Sequence, residues 1–230
     1  MAAKRPVRRA LLVSFSGLDG AGKTAQITAL RESISYMGLR SRQLIFWDDV
    51  VVGRRWREEF VHKVFASERG IGTPQHPVER RDKNMRAGYL TVARHLLYLV
   101  DALHLRLLLM RRKGADVIVA DRYIYDELAN LPLEHRMSAA LSRMLLWIAP
   151  RPQLALLLDV EPEIARARKP EYPLDFLRES RNSYLLLTRM IRGITVIPPL
   201  PIEETRHMIL SLFLRSLSSD EQQGQNEAAA

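Results

Sequence analysis

The chain has 230 residues and a mass of 26.4 kDa, a size that suits one domain. Hydrophobic residues make up 47% and charged residues 27%, which indicates a globular protein and excludes disorder throughout. The absence of cysteine excludes a disulfide framework, a thiolate zinc site and a thiol nucleophile. The net charge of +9 leaves nucleic acid, a membrane surface and phosphorylated small molecules as candidate partners. No uncharged apolar run reaches the roughly 20 residues of a spanning helix, so we expect a cytoplasmic protein.

Short apolar segments alternate along the chain with longer segments of helical periodicity. That alternation predicts an α/β fold, in which a parallel sheet is covered by helices on both faces. The predicted strands are 10–16, 43–47, 117–120, 154–158 and 195–197. The predicted helices are 25–37, 85–112, 137–147, 176–191 and 203–217.

The predicted domain boundaries lie where this alternation of strands and helices begins and ends. We expect a basic N-terminal tail over 1–9, a single domain over 10–217 and a disordered tail over 218–230, where periodic apolar residues end. The polar, Gly- and Pro-containing stretch 67–82 is predicted to be a loop. Prolines at 170 and 173 predict a break between two helices, suited to a mobile flap, and we expect a lid near 166–174.

One motif carries most of the functional signal. Residues 17–24, with the sequence GLDGAGKT, match the phosphate-loop pattern G-x-x-x-x-G-K-[ST], and they lie between a predicted strand and a predicted helix. Glycines in such a loop allow successive backbone N–H groups to face phosphate oxygens, and the helix that follows points its positive end at the same anion. The alternative is a glycine-rich turn with an exposed lysine. The predicted ATP-binding residues are Gly17, Leu18, Asp19, Gly20, Ala21, Gly22, Lys23 and Thr24.

Two side chains of this motif have predicted chemical roles. Lys23 supplies a charge to the outer phosphates of ATP, and the Thr24 hydroxyl ligates Mg²⁺. Asp121 ends the predicted third strand, at the edge of the sheet where ligands bind, and is the second predicted magnesium ligand. Arg122 follows it, and its guanidinium suits the phosphate of an acceptor. An aspartate that starts a helix beside a surface arginine is the plainer interpretation of this pair.

With these residues the chain resembles the thymidylate kinases. The similarity rests on residues 15–26, on Asp121-Arg122-Tyr123, on the LLLDVEPE sequence at 156–163, on basic residues where that family has its lid, and on 176–181 with Tyr184. It extends from about Leu11 to about Leu217 in the order of the elements.

The resemblance implies a P-loop kinase fold with three α/β/α layers and a five-stranded parallel sheet of order 2-3-1-4-5. It implies transfer of the γ-phosphoryl group of ATP, with Mg²⁺, to a nucleoside monophosphate. Asp19 would contact the sugar of the acceptor and Arg122 its phosphate. The lid residues Arg166, Arg168 and Lys169 would together supply cations to the migrating phosphoryl group, unless they are merely charges on a helix surface. The resemblance also implies a homodimer through long helices, although Leu96, Leu97, Leu99, Val100, Leu103 and Leu107 suit a core equally well.

The base-reading residues of the family are the part that this chain does not match. The family has serines and later a Tyr-Gln pair after Asp121-Arg122-Tyr123, whereas this chain has IYDELANL at 124–131. Tyr98 is placed to stack on a base, and Ala102 stands where an arginine is expected. Asp48 and Asp49 follow the second predicted strand, where they would either bind acceptor hydroxyls or cap a helix that contains Trp56. The arginines at 54, 55 and 57 would hold an acceptor phosphate or be solvated.

The sequence is compatible with three functions. The first is a nucleoside monophosphate kinase, with dTMP as the first acceptor to test. The second is a P-loop kinase for a different small molecule, which the changed base-reading residues suggest. The third is a nucleotide-dependent switch or nucleic-acid-binding protein without kinase activity, which only the net charge favours, since no nucleic-acid module is recognised.

Overall fold

The computed structural model describes residues 10–53, 57, 88–111, 114–131 and 133–229, with the backbone alone at 88–91, 221 and 223–229. The N-terminal tail over 1–9, the loop over 67–82 and the helix expected around Trp56 lie outside the described residues.

Five parallel strands form one sheet in the order β2-β3-β1-β4-β5. The predicted fold class and strand order are therefore confirmed, with β1 at the centre of the sheet. In the register of the sheet, Phe15 of β1 pairs with Asp121 of β3, and Gly17 pairs with Leu158 of β4. The P-loop, Asp121 and the end of β4 thus lie at one edge. The strands are β1 (Leu11–Gly17), β2 (Ser41–Ile45), β3 (Val117–Asp121), β4 (Leu154–Leu158) and β5 (Ile194–Ile197).

The five predicted helices are present in the described residues, the last of them extended at its C-terminal end, and three helical elements are added, of which α5 (Pro162–Arg168) follows β4. A π-helical turn, Phe46–Val50, follows β2 directly, and a five-residue helix, α3, follows β3. The predicted break over 169–173 separates two helices in the structure. The described helices are α1 (Lys23–Tyr36), α2 (Gly88–Arg111), α3 (Ile124–Leu128), α4 (Arg136–Ile148), α5 (Pro162–Arg168), α6 (Leu174–Met190) and α7 (Ile202–Ala229).

The central strand is buried along its whole length, and its side chains alternate between two cores. Val13 and Phe15 pack with α1 and α7, against apolar residues such as Phe213. Leu12 belongs to the opposite core, which contains the buried residues of α2, α3, α4 and α6. The serines of β1, Ser14 and Ser16, share the face of Leu12 because strand residues two apart point to the same side. This alternation directs Ser16 toward α3 and α6.

The C-terminal segment differs from the sequence expectation. Residues 218–229 continue the last helix, α7, where the sequence predicts a disordered tail. The segment is polar, and a helix already started by its apolar first half extends into it with one backbone hydrogen bond for each residue added. Within the described ranges, none of the helices combines the length and the apolar character needed to cross a membrane.

Candidate active site

The P-loop connects the central strand to α1. Gly22 immediately precedes the helix with a φ of 87°, a left-handed conformation that glycine adopts without the penalty that a Cβ imposes. Since glycine has no side chain to cap the helix, the backbone N–H groups of the first turn are available to an anion. The loop has the form expected of a phosphate cradle.

Lys23 folds back onto the loop that contains it. Its ammonium group donates hydrogen bonds of 2.8 Å to the carbonyl oxygens of Gly17 and Leu18, and it lies 3.9 Å from a carboxylate oxygen of Asp19. Burial, with the nearby charge of Arg122, lowers the pKa of Lys23 from 10.5 to about 8. A bound phosphate would favour the charged lysine.

Arg122 is the cation at the other end of this site. It is the one non-glycine residue with a positive φ, 66°, among the described residues, and its backbone N–H bonds the Phe15 carbonyl at 3.0 Å. Its guanidinium is ion-paired to Asp19 and lies 3.8 Å from Asp126. Burial alone would lower the pKa of Arg122, but these carboxylates raise it above its ordinary value. Asp19 therefore contacts both phosphate-binding candidates, Lys23 and Arg122.

The predicted magnesium ligands are oxygen donors at the same edge of the sheet. Thr24 is exposed in the first turn of α1, and Asp121 ends β3. Burial raises the pKa of Asp121, although Lys23 and Arg122 oppose the shift. In the described part of the chain, no three metal-ligating side chains cluster. One hydroxyl and one carboxylate fit Mg²⁺, which binds few protein groups and takes further oxygens from phosphates and water.

The helix α5 packs directly on the P-loop. A Cβ at Gly20, whose φ is 88°, would collide with the backbone of Ala165 in α5. The Arg168 side chain donates a 3.4 Å hydrogen bond to the Gly20 carbonyl. Lys169 instead pairs with Glu171 at 3.3 Å, and Arg166 is partly exposed on α5. Of the three predicted lid cations, Arg168 thus contacts the loop.

A cleft with an empty volume of about 500 Å³, including space open to solvent, begins at the P-loop. Aromatic side chains form part of its wall, and the rings of Tyr172 and Phe176 are 5.1 Å apart. The cleft is lined by Gly17, Leu18, Asp19, Trp47, Arg122, Asp126, Glu127, Ala129, Asn130, Tyr172, Phe176, Leu177, Ser180 and Tyr184.

The other predicted acceptor residues lie beside the cleft. Tyr98 is 8% exposed, belongs to the core, and forms a side-chain hydrogen bond with Glu127. Asp48 and Asp49 lie on the π-helical turn, where a carboxylate oxygen of Asp49 accepts a 2.9 Å hydrogen bond from the Ile45 N–H. Arg57 is paired with the buried Asp101 at 2.6 Å.

Trp47, on the same turn, and Ser180, on α6, line the cleft without having been predicted. An aromatic residue directly after β2 is a signal that could have identified Trp47. Ser180 has no comparable signal in the sequence.

The fold and the P-loop together define a class of protein. A parallel sheet of order 2-3-1-4-5, with a Walker-type loop after its central strand, is the architecture of a P-loop kinase.

Comparison with curated proteins shows which P-loop kinases this chain is similar to. A probable thymidylate kinase of Archaeoglobus fulgidus is 29% identical over 182 residues, which are 76% of this chain and 81% of the relative. A probable thymidylate kinase of Pyrococcus abyssi is 28% identical over 226 residues, covering 91% of this chain and 98% of the relative. One from Metallosphaera sedula is 27% identical over 228 residues, at 93% and 97% coverage.

No protein-family model matches the chain. The relatives nevertheless share one name and align along most of their length. The chain is thus similar, over most of its length, to curated proteins named as probable thymidylate kinases.

Proposed function

We propose that this protein is an ATP-dependent nucleoside monophosphate kinase, with dTMP as its first candidate acceptor. The observation that carries the proposal is the position of Asp19, which contacts Lys23 of the P-loop on one side and Arg122 on the other. A phosphoryl group that passes between two phosphates needs cations close together on both sides of its path. The names of the relatives point to the same reaction.

In the proposed reaction an oxygen of the acceptor phosphate attacks the γ-phosphorus of ATP. The bond between that phosphorus and the β–γ bridging oxygen breaks, and its electron pair leaves with ADP, so no covalent enzyme intermediate is formed. Lys23 and the P-loop amides hold the outer phosphates of ATP. Arg122 holds the acceptor phosphate, because a guanidinium has five N–H donors and can keep Asp19 while it binds an anion.

Magnesium would be held by Thr24 and Asp121 together with the phosphates, and when bound it neutralises charge on the departing oxygens. Among the basic residues near the lid, we assign the approach to the γ-phosphoryl group first to Arg168, because of its contact with Gly20. Arg166 and Lys169 remain candidates for the same role.

The aromatic wall of the cleft is the proposed place of the acceptor base. Trp47 comes from the turn after β2, and Tyr172 and Phe176 come from the start of α6. Stacking on such rings suits any base, so the polar residues Asn130 and Ser180 would have to distinguish between bases. Tyr98 is less suited to stacking than the sequence predicts, because it is buried in the core.

The test is coupled ADP release with Mg-ATP and a panel of dTMP, dUMP, dCMP, dGMP, CMP, UMP and AMP. We expect turnover that depends on both Mg²⁺ and the acceptor and that is lost in Lys23→Ala. Turnover of another panel member with dTMP inert would keep the reaction and change the acceptor. Silence across the panel, with ATP binding retained, would contradict the proposal and favour a different small-molecule acceptor or a nucleotide-dependent switch.

We also propose that the protein is a homodimer that pairs through α2. Its exposed apolar residues recur every three or four positions, which places them on one side of the helix. Leu99, by contrast, packs against the core. The exposed stripe consists of Val92, Leu96, Val100, Leu103, Leu107 and Met110. The cytoplasmic location stays a prediction.

A further inference from the structure

We propose that Asp126 is a positioning residue that holds Arg122 in the acceptor site and couples it to α6. This inference rests on the proposed kinase function. The carboxylate of Asp126 lies at the base of the cleft and is 3% exposed.

Four donors surround the Asp126 carboxylate. One oxygen accepts a 2.7 Å hydrogen bond from the Ser16 hydroxyl and a 2.8 Å hydrogen bond from the Tyr123 N–H. The other oxygen accepts a 2.7 Å hydrogen bond from the Tyr184 hydroxyl and lies 3.8 Å from Arg122 Nη1. With both oxygens engaged inside the protein, this carboxylate is suited to holding the site together rather than to binding a hydroxyl of the substrate.

The donors come from separate elements of the fold. Ser16 is the penultimate residue of β1, next to the P-loop, and Tyr123 lies between β3 and α3. Tyr184 is on α6, the helix that follows the break over 169–173 and carries Phe176 of the cleft wall. Asp126 therefore joins the P-loop strand, the Arg122 segment and the helix after the proposed lid through one side chain.

The backbone conformation of Arg122 has to be stabilised by its surroundings. A positive φ at a residue with a Cβ is costly, so the surrounding contacts have to favour it. Its guanidinium lies between Asp19 and Asp126. Asp19 is part of the P-loop, where ATP would bind, whereas Asp126 is buried and bonded on both oxygens, so we expect Asp126 to be the partner that stays in place when substrates bind.

The first test compares Asp126→Asn with Asp101→Asn. Asp101 is a matched control because it is also fully buried and bound to an arginine, Arg57, but lies outside the cleft. Both variants lose one buried charge, and we expect both to lower Tm. Only Asp126→Asn should raise the KM of the acceptor, by about tenfold or more, with the KM of ATP within about twofold of wild type, because Arg122 faces the acceptor phosphate.

The second test is milder and does not depend on how well Asp126→Asn folds. Tyr184→Phe removes one hydroxyl from the Asp126 carboxylate, and Tyr123→Phe removes a buried hydroxyl that bonds the Pro150 carbonyl instead. We expect Tyr184→Phe to raise the acceptor KM several-fold and Tyr123→Phe to leave it unchanged. The acceptor is dTMP or, where dTMP is inert, the panel nucleotide that wild type turns over.

The outcomes separate this inference from the proposed function. An active wild type whose Asp126→Asn and Tyr184→Phe variants lose stability but keep the wild-type acceptor KM would overturn the inference alone. A wild type inactive with every nucleoside monophosphate would overturn the proposed function and, with it, the role given to Asp126.

Discussion

At the scale of single residues, Lys23 shows how the fold prepares a charge for a ligand. Its ammonium is buried and bonded to two carbonyl oxygens of its own loop. The carbonyl oxygens accept hydrogen bonds from the ammonium but offset little of the free energy lost when a charge is removed from water. The nearby positive charge of Arg122 destabilises the charged lysine further. An arriving phosphate adds negative charge to that of Asp19, which lies 3.9 Å from the ammonium.

This environment predicts a pH dependence for ATP capture. Because the pKa of Lys23 in the free protein is lowered to about 8, kcat/KM for ATP should fall as the pH rises through about 8, approaching tenfold per pH unit above it. Initial rates at limiting ATP between pH 6 and 9.5, with saturating acceptor, would measure the profile. A profile that stays flat to pH 9.5 would contradict the assignment.

The same shift has a consequence for stability. The unfolded chain keeps the lysine proton up to the ordinary pKa of 10.5, whereas the folded chain releases it near 8. Between these values the unfolded state binds more protons, so the contribution of Lys23 to the free energy of unfolding rises with pH. Below about pH 8 the buried charge is a standing cost, which Lys23→Ala removes.

At the scale of elements, Arg181 links α6 to the end of β4. Arg181 donates two 2.8 Å hydrogen bonds to the carboxylate of Asp159, directly after β4, and one of 2.7 Å to Glu161. Such a bidentate pair has fixed geometry and low exposure, with Asp159 at 12%. It anchors α6, and thereby Phe176 and Tyr184, against the edge of the sheet that carries the P-loop.

Replacing Arg181 with alanine should lower the free energy of unfolding by about 1–3 kcal/mol, because Asp159 would lose both hydrogen bonds in a partly buried place. Arg178→Ala is the matched control on the same helix. Arg178 pairs with Glu163 and Asp175 but is 53% exposed, so its loss should lower the free energy of unfolding much less than the loss of Arg181. Urea unfolding monitored by circular dichroism measures both values, and equal losses for the two variants would refute this anchoring role.

At the scale of the whole molecule, the face of α2 that points away from the core carries exposed apolar residues. Leu96, near the start of the apolar stripe on α2, and Met110, at its end, are each 60% exposed. A row of this kind on one helix is larger than the scattered exposed apolar residues of an ordinary monomer surface. A second copy of the chain can cover it along its length, since a twofold axis brings identical stripes together.

The homodimer proposal predicts that Leu96→Glu with Leu103→Glu converts the protein to a monomer, because burying two pairs of carboxylates in an apolar interface is strongly unfavourable. Size-exclusion chromatography with light scattering would report the mass. Leu214→Glu on α7, at a residue 43% exposed, is the control and should keep the wild-type mass. A wild type that already elutes as a monomer would contradict the proposal.

Much of the fold could be predicted because its signals are local. Strand β4 begins and ends at its predicted residues, and the P-loop is recognisable since its eight residues are contiguous. The helical continuation of α7 was missed because the polar composition of 218–229 predicts disorder equally well. The five-residue α3 was missed because it is too short to show periodicity.

The sequence alone determined the class of chemistry, since a phosphate loop is defined by neighbouring residues and the alternation of strands and helices by short-range periodicity. Only the tertiary structure decided which side chains meet. Asp126 lies 110 residues from Ser16 and 58 from Tyr184, and they come together only through the order and register of the strands. The exposed side of α2 and the contact between Arg168 and Gly20 were decided in the same way, because helix faces and packed backbones depend on every element around them.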